Sequence, residues 1–351
     1  MNAINNKNIM TKIGKGIVHC LFSLFIVLSS IWLCLAIWYQ QPLGNIFSII
    51  LIIAWIIFAC SILGIYITQH LFSRTKDFLI YCIIFALSLV WYFNIPALQN
   101  RQWDPEVDHI LTFEKQGNIV TLHNVRNFNW RTETDYDVHW ETRTVNLDHI
   151  TGVNIINSYW MGPQIAHTLV SFNFKDSKPI TFSLEIRKEK GESFSTFGGF
   201  FRKFELSLIA ADEKDIIYTR SNARGEQVYF FPVKMPEQEM KALFEQYLSK
   251  ASDLQENAKW YNTLTSNCTT LVFDMVQAIS PFELPIDYRL IASGYLPNYL
   301  YDLNALSHDW NMKEWYEHSH INPRVKGKTN LSSEQYSLLI REGLPNIQIA
   351  K

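Results

Sequence analysis

The residue most suited to chemistry in this 351-residue chain is Cys268. It stands in TLTSNCTTLVFDMVQAISP, residues 263–281, and is the last of five cysteines. Cys20, Cys34, Cys60 and Cys82 fall in long apolar runs, where a thiol serves as a small apolar side chain. Ser266 or Asn267 can cap a helix beginning near Cys268. Leu271, Val272, Met275, Val276 and Ile279 give that helix a buried stripe, and Pro281 ends it. Cys268 is thereby placed in a first turn. The N–H groups and the macrodipole there favour a thiolate, and the same N–H groups could hold an oxyanion. With no second cysteine in the polar part of the chain, the thiol is either buried and inert or reactive.

A nucleophilic thiol needs a base, and the base needs an orienting partner. Among the histidines, His109, His123, His139 and His149 lie among charged or turn residues, and His308, His318 and His320 sit in the C-terminal tail. His167 differs: it lies in IAHTLVSF, a strand-like run of apolar and small residues. Such a histidine is either a satisfied core residue or a base facing a thiol on a helix packed against the sheet. A helix-borne Cys with a strand-borne His is the papain-like arrangement, here with His before Cys, as a circular permutation requires. Candidates for the orienting group are Asn173 and Asp176 on the same hairpin and Glu185 on the neighbouring strand, with Glu185 ranked first. Asn267, Thr269, Tyr261 and Arg187 are the candidates for contact with substrate. No HExxH or Cys/His ligand spacing points to a metal, His318-Ser-His320 being too little alone, and no cofactor is implied.

The elements that must position these groups divide the chain in two. Ile17–Tyr39, Ile46–Ile67 and Phe78–Phe93 are apolar runs without Lys, Arg, Asp or Glu. A bilayer core of about 30 Å is crossed by roughly 20 helical residues, so three spans are expected over 17–93. Lys7, Lys12 and Lys15 precede the first, and Arg74 and Lys76 lie between the second and third. The positive-inside rule puts residues 1–16 in the cytoplasm and everything after the third span outside. Apart from those five cations and Asp77, the chain's 31 basic and 33 acidic residues all follow residue 93. The outer part is thus net acidic, which argues against a nucleic-acid partner. After a linker at 94–108, the pattern is mainly strand. A hairpin is expected around Gly117-Asn118, a strand pair over Trp130–Leu147, and strands over Gln164–Phe174 and Lys178–Glu189. Residues 194–212 are ambiguous, and KDIIYTRSNARGEQVYFFPVKM reads as two strands joined at Asn-Ala-Arg-Gly. Pro236–Gln255 is a clear amphipathic helix.

Six segments in order resemble one family: NVRNF (124–128), DYDVHWETRTVNLDHI (135–150), IAHTLVSFNF (165–174), FSLEIRKEKGESFS (182–195), FRKFELSLIAADEKDIIYTR (201–220) and YNTLTSNCTTLV (261–272). Together they are similar to the DUF4105 family, an extracytoplasmic domain also found at the N-terminus of a bacterial lipoprotein N-acyltransferase. The resemblance covers about residues 105–300. It implies a Cys–His thiol acyltransferase or hydrolase working through a thioester, with Cys268 and His167 on the family's cysteine and histidine. The NC-then-helix motif also looks like that of lecithin:retinol acyltransferase-type enzymes, which are permuted NlpC/P60 folds. The chain departs from the acyltransferase by carrying its spans before the domain, and by having Ala166 where many members have Gly.

The expectation is an α+β protein: three transmembrane helices, then a permuted papain-like (NlpC/P60-like) domain over 109–300 with an antiparallel sheet and a Cys-bearing helix, then an extension at 301–351. It would be integral to a bacterial inner membrane, face the periplasm, and take a membrane lipid or lipoprotein as substrate. A cell-wall peptide amidase would keep the catalytic pair and change the substrate. A non-catalytic membrane scaffold would bury an unreactive Cys268.

Overall fold

The computed structural model describes residues 2–68 and 73–345, with the side chains of 2–13 and 15 left aside. The side chains of Lys7, Lys12 and Lys15, and residues 346–351 of the expected extension, lie outside the described residues. The chain forms two units, Met1–Ala97 with Phe197–Lys203, and Leu98–Thr196 with Phe204–Lys351.

The first unit holds α1 (Asn2–Gln40), α2 (Asn45–Thr68) and α3 (Arg74–Phe93). Gly16–Gln40, Asn45–Thr68 and Arg74–Phe93 are long and apolar enough to cross a bilayer. Their mutual contacts bury Phe22, Ile26, Leu33, Trp55, Ile62 and Tyr81, while Leu28, Ile31, Ile53, Ile57 and Leu87 stay outward. That apolar exterior suits lipid and would be unfavourable against water. Tyr81 satisfies its hydroxyl inside the bundle on Ser29 Oγ, 2.6 Å away. The Phe197–Lys203 segment places Phe201 against Tyr39, stacked at 5.5 Å, and Gln40 Nε2 donates to the Phe201 carbonyl at 2.6 Å.

The second unit is built on a mixed, largely antiparallel sheet. The strands are β1 (Thr112–Gln116), β2 (Ile119–Arg126), a small β3–β4 hairpin (Asn129–Trp130, Tyr136–Asp137), β5 (Trp140–Asn146), β6 (Ile150–Tyr159), β7 (Ala166–Phe174), β8 (Ile180–Arg187), β9 (Glu205–Ala211) and β10 (Gln227–Val233). Their order is β1-β2-β9-β8-β7-β6-β10, with β5 paired to β2 and one parallel contact between β2 and β9. The β1–β2 turn is the expected one, and Gly117 takes the positive φ of +61° that it needs. The strand β6, between β7 and the edge strand β10, had no counterpart among the expected strands.

Alternation along β7 and β8 sends side chains to two cores. Val170, Phe172, Phe182 and Leu184 meet α5 (Glu237–Glu256) and α6 (Cys268–Ile279) on one face. Phe182 stacks on Tyr247 of α5 at 4.5 Å between ring centres. Leu169, Ile156 and Ile209 meet the other face. That face is covered by α4 (Glu213–Tyr218), and by the later α9 (Asn322–Val325) and α10 (Ser333–Ile340). Two further helices, α7 (Leu296–Asp302) and α8 (Met312–Ser319), complete the unit.

One expectation is overturned here. The stretch from Lys214 was read as a strand because Ile216, Ile217, Tyr218 and Thr219 favour one. It is helix α4, extended through Thr219–Ala223 by a π-helical turn. Asp212 caps it, accepting from Lys214 N, and Ile216 and Ile217 are both buried against the sheet. Capping and packing here outweigh local propensity.

Candidate functional site

The start of α6 is built by Asn267. Its Oδ1 accepts from Thr269 N at 2.8 Å and Thr270 N at 2.9 Å, and Thr270 Oγ1 accepts from Asn267 N at 3.1 Å. This reciprocal capping box satisfies three of the four free donors at the helix start. Asn267 Nδ2 also donates to the Thr263 carbonyl at 2.8 Å. The side chain expected to contact substrate is therefore occupied as a cap. Cys268 is the first helical residue, and its own N–H is left without a partner among the described residues. A single backbone donor, and not the whole first turn, is available for an oxyanion.

The register of the sheet supplies the other half. Leu169 pairs with Ser183 across β7 and β8, and continuing that register by two residues sets His167 opposite Glu185. His167 Nε2 lies 2.7 Å from Ser183 Oγ and 3.3 Å from Glu185 Oε1. Ser183 Oγ in turn donates to Glu185 Oε1 at 2.6 Å. The imidazole stands close enough to Cys268 for the charges of the two groups to act on each other. With Nε2 turned to Ser183 and Glu185, Nδ1 is the ring nitrogen left for a further partner. From the strand itself, Thr168 N donates to Cys268 Sγ at 3.4 Å. Thr269 Oγ1 lies 3.0 Å from Thr168 Oγ1 and 4.0 Å from the sulfur.

Electrostatics follow from this packing. Burial would raise the Cys268 thiol, but the charge of His167, with the Thr168 N–H and the Thr269 hydroxyl, holds it below its ordinary value. Burial and the Arg220 guanidinium disfavour a charged His167. The negative sulfur and Glu185 outweigh them and push the imidazole up to about 9. Burial likewise opposes ionisation of Glu185, yet His167 and Arg220 hold it well below the usual carboxylate range. Each group thus favours the charged form of its neighbour: the thiol is lowered, the imidazole raised and the carboxylate lowered.

Arg220 was not foreseen. It reaches in from the π-helical turn after α4, and its Nη2 donates to Glu185 Oε1 at 2.7 Å. Its other arm reaches Glu226 Oε2 at 3.4 Å, and Ser158 Oγ is bonded to that same carboxylate oxygen. Reading 214–220 as a strand hid this residue. π-Helical turns recur at functional sites, but nothing in the residue types marks one here. Ser183 was also missed. Its signal was its place two residues before Glu185, on the same face of the strand.

The remaining candidates separate. Tyr261 is half-buried nearby, its phenol pushed up by burial and then by the negative charges of Cys268 and Glu185. Arg187 is engaged with the 99–108 segment. Its guanidinium donates to the carbonyls of Val107 and Asp108 and to Gln99 Oε1, and lies 4.3 Å over the Trp103 ring. Asn173 bonds Arg341 and Asn154, and Asp176 bonds His149. The arginines of the early strands are paired as well. Arg126 is buried against Asp215, Arg143 bonds Glu141 and Asp212, and Arg131 bonds Asp135 and Asp137.

The family model for the Lnb N-terminal periplasmic domain matches residues 136–294, a stretch that contains His167, Glu185 and Cys268. Searches among curated proteins and solved structures give no match. The match and the three apolar helices make this a membrane-associated protein with a periplasmic-type domain.

Proposed function

We propose that the protein is a membrane-anchored thiol acyltransferase or hydrolase acting on a phospholipid or lipoprotein outside the inner membrane. The observation carrying this reading is the held imidazole beside a held sulfur: His167 Nε2 is engaged by Ser183 and Glu185, and the next residue of the strand, Thr168, donates its N–H to the Cys268 sulfur at 3.4 Å. A structural cysteine needs no such arrangement, whereas a nucleophile does. The Cys268 thiolate attacks an acyl ester carbonyl and forms the S–C bond. The developing oxyanion is met by the Cys268 N–H. As the C–O bond breaks, the imidazolium gives its proton to the departing alkoxide. An acceptor amine, or water, then attacks the thioester and loses its proton to the imidazole, and the thiolate leaves. Ser183 and Glu185 keep Nε2 engaged, so that one ring nitrogen faces the sulfur throughout.

The test uses full-length protein in vesicles of phosphatidylethanolamine carrying a radiolabelled acyl chain, with a diacylglyceryl-cysteine peptide added as amine. Release of lysophospholipid that Cys268→Ser and His167→Ala abolish supports the reading. Absence of lysophospholipid from vesicles of any phospholipid headgroup, with Cys268 reactive to alkylation, removes phospholipid as the substrate.

A further inference from the structure

We infer that the loops around Cys268 form an apolar rim that rests on the bilayer surface. Four segments contribute: the β6–β7 turn with Trp160 and Met161, the loop after β8 with Phe194, the turn before α6 with Leu264, and the 280–295 stretch with Tyr288 and Ile291. All six side chains are exposed, Phe194 to 54% and Tyr288 to 68%. Isolated exposed apolar residues are ordinary, but these segments are joined. The Trp160 and Phe194 rings meet edge to face at 6.4 Å. Thr263 Oγ1 donates to the Thr196 carbonyl at 3.2 Å, linking Leu264's turn to Phe194's loop. Gly294 N donates to the Gln164 carbonyl at 3.0 Å, and a Cβ there would lie 2.1 Å from the Pro163 oxygen. Only glycine lets that strap lie on the β6–β7 turn. Tyr288 meets Tyr295 of the same strap at 6.4 Å. The same segments lead into the site, since the β6–β7 turn runs into His167 and the Leu264 turn into Cys268.

Chain length identifies the occupant. Phe93 ends the third apolar helix, and Leu98 begins the second unit five residues later. An extended chain covers at most about 3.6 Å per residue, so that step spans no more than ~18 Å. Phe194 is three residues from Phe197, which belongs with the apolar helices, a reach of at most ~11 Å. A rim tethered this closely to membrane-spanning helices has a lipid surface within range. Its charge pattern further defines the contact. No lysine lies in 157–165, 191–197, 260–267 or 280–295, and Arg289 is held by Asp287 and Asp302. The contact is therefore made by apolar insertion and not by attraction to anionic headgroups.

This inference does not depend on turnover at Cys268. It is tested on full-length protein in phosphatidylcholine vesicles containing a diazirine phosphatidylcholine, with photolabelled peptides mapped by mass spectrometry. Peptides bearing Trp160, Phe194 and Leu264 are expected to label at least fivefold above the Lys313 peptide, at 0.1 and 1 M NaCl alike and in Cys268→Ser as in wild type. The double variant Phe194→Asp, Leu264→Asp should reduce labelling of the Tyr288 peptide while leaving Cys268 alkylation unchanged. Labelling confined to residues 16–93 overturns the inference. So does rim protection that disappears on dilution of protein in lipid, which would identify a second copy as the occupant.

Discussion

Replacing His167 with glutamine removes the cation whose charge lowers the Cys268 thiol and so exposes how much that charge contributes. Burial then acts without it and returns the thiol to at least its ordinary value of 9.0. At pH 6 a thiol of that pKa is ionised in about one molecule in a thousand, each pH unit being tenfold. A thiolate of higher pKa is also the better nucleophile. Through a Brønsted slope of ~0.4–0.5, each tenfold lost in ionisation is offset by only roughly threefold in nucleophilicity. The net expectation is alkylation of Cys268 at least several-fold slower than wild type at pH 6, with the gap closing toward pH 9. The assay is iodoacetamide modification of the full chain in detergent from pH 5 to 9, read on the Cys268 peptide, with Cys268→Ser as the blank. A His167→Gln rate that keeps the wild-type plateau below pH 7 would refute the ion pair. Labelling of the wild type only after denaturation would refute the thiolate itself.

Four further outcomes follow from the same contacts. Arg220→Met leaves Glu185 and Glu226 without their buried counter-charge and should cost about 3–5 kcal/mol by denaturant melting, with loss of the low-pH plateau in Cys268 alkylation. Asn267→Ala removes the cap of α6 and should cost about 1 kcal/mol in the same melt, with slower alkylation at every pH. Arg187→Ala should lower the melting temperature, since three hydrogen bonds to the 99–108 segment are lost, yet leave Cys268 alkylation within about twofold. Stability should also fall in acid. Burial opposes ionisation of Glu213, but Arg341 and Ser171 hold its carboxyl below 4.5. A carboxyl depressed on folding contributes stability that is full above its unfolded value and is lost as pH falls through the folded one. Wild type should therefore lose melting temperature below about pH 4.5 by this route, and Glu213→Gln should flatten that slope; an unchanged slope would show that Glu213 carries none of it.

Some of this site was legible in the residues and some was not, for physical reasons. Cys268 at a helix start follows from the Asn267 cap and the apolar stripe behind it, both local features. Glu185 opposite His167 follows from a hairpin register, since the turn after Phe174 fixes which residues of β7 and β8 meet. Arg220 could not be read this way. Its segment favours a strand by residue type, and only burial of Ile216 and Ile217 against the finished sheet selects the helix that brings it in. The strand β6 was hidden by Gly152, Asn154, Asn157 and Ser158, polar or small residues that interrupt an apolar strand pattern. Inside the fold their amide nitrogens find partners: Asn154 Nδ2 donates to the Ser171 carbonyl at 3.3 Å and Asn157 Nδ2 to the Ser293 carbonyl at 3.1 Å. Their partners lie 17 and 136 residues away, beyond the reach of any local pattern. Arg126 and Arg143 show the same limit, since Asp215 lies in α4 and Asp212 caps it.

The most direct test of the central claim is capture of the acyl–enzyme. Full-length protein in vesicles is quenched in acid within seconds of mixing, and the Cys268 peptide is weighed before and after hydroxylamine. The account predicts a fatty-acyl mass on Cys268 that hydroxylamine removes, present in wild type and absent in His167→Ala. A Cys268 that alkylates rapidly at pH 6 but never carries an acyl group, whatever phospholipid or lipoprotein is offered, would contradict it.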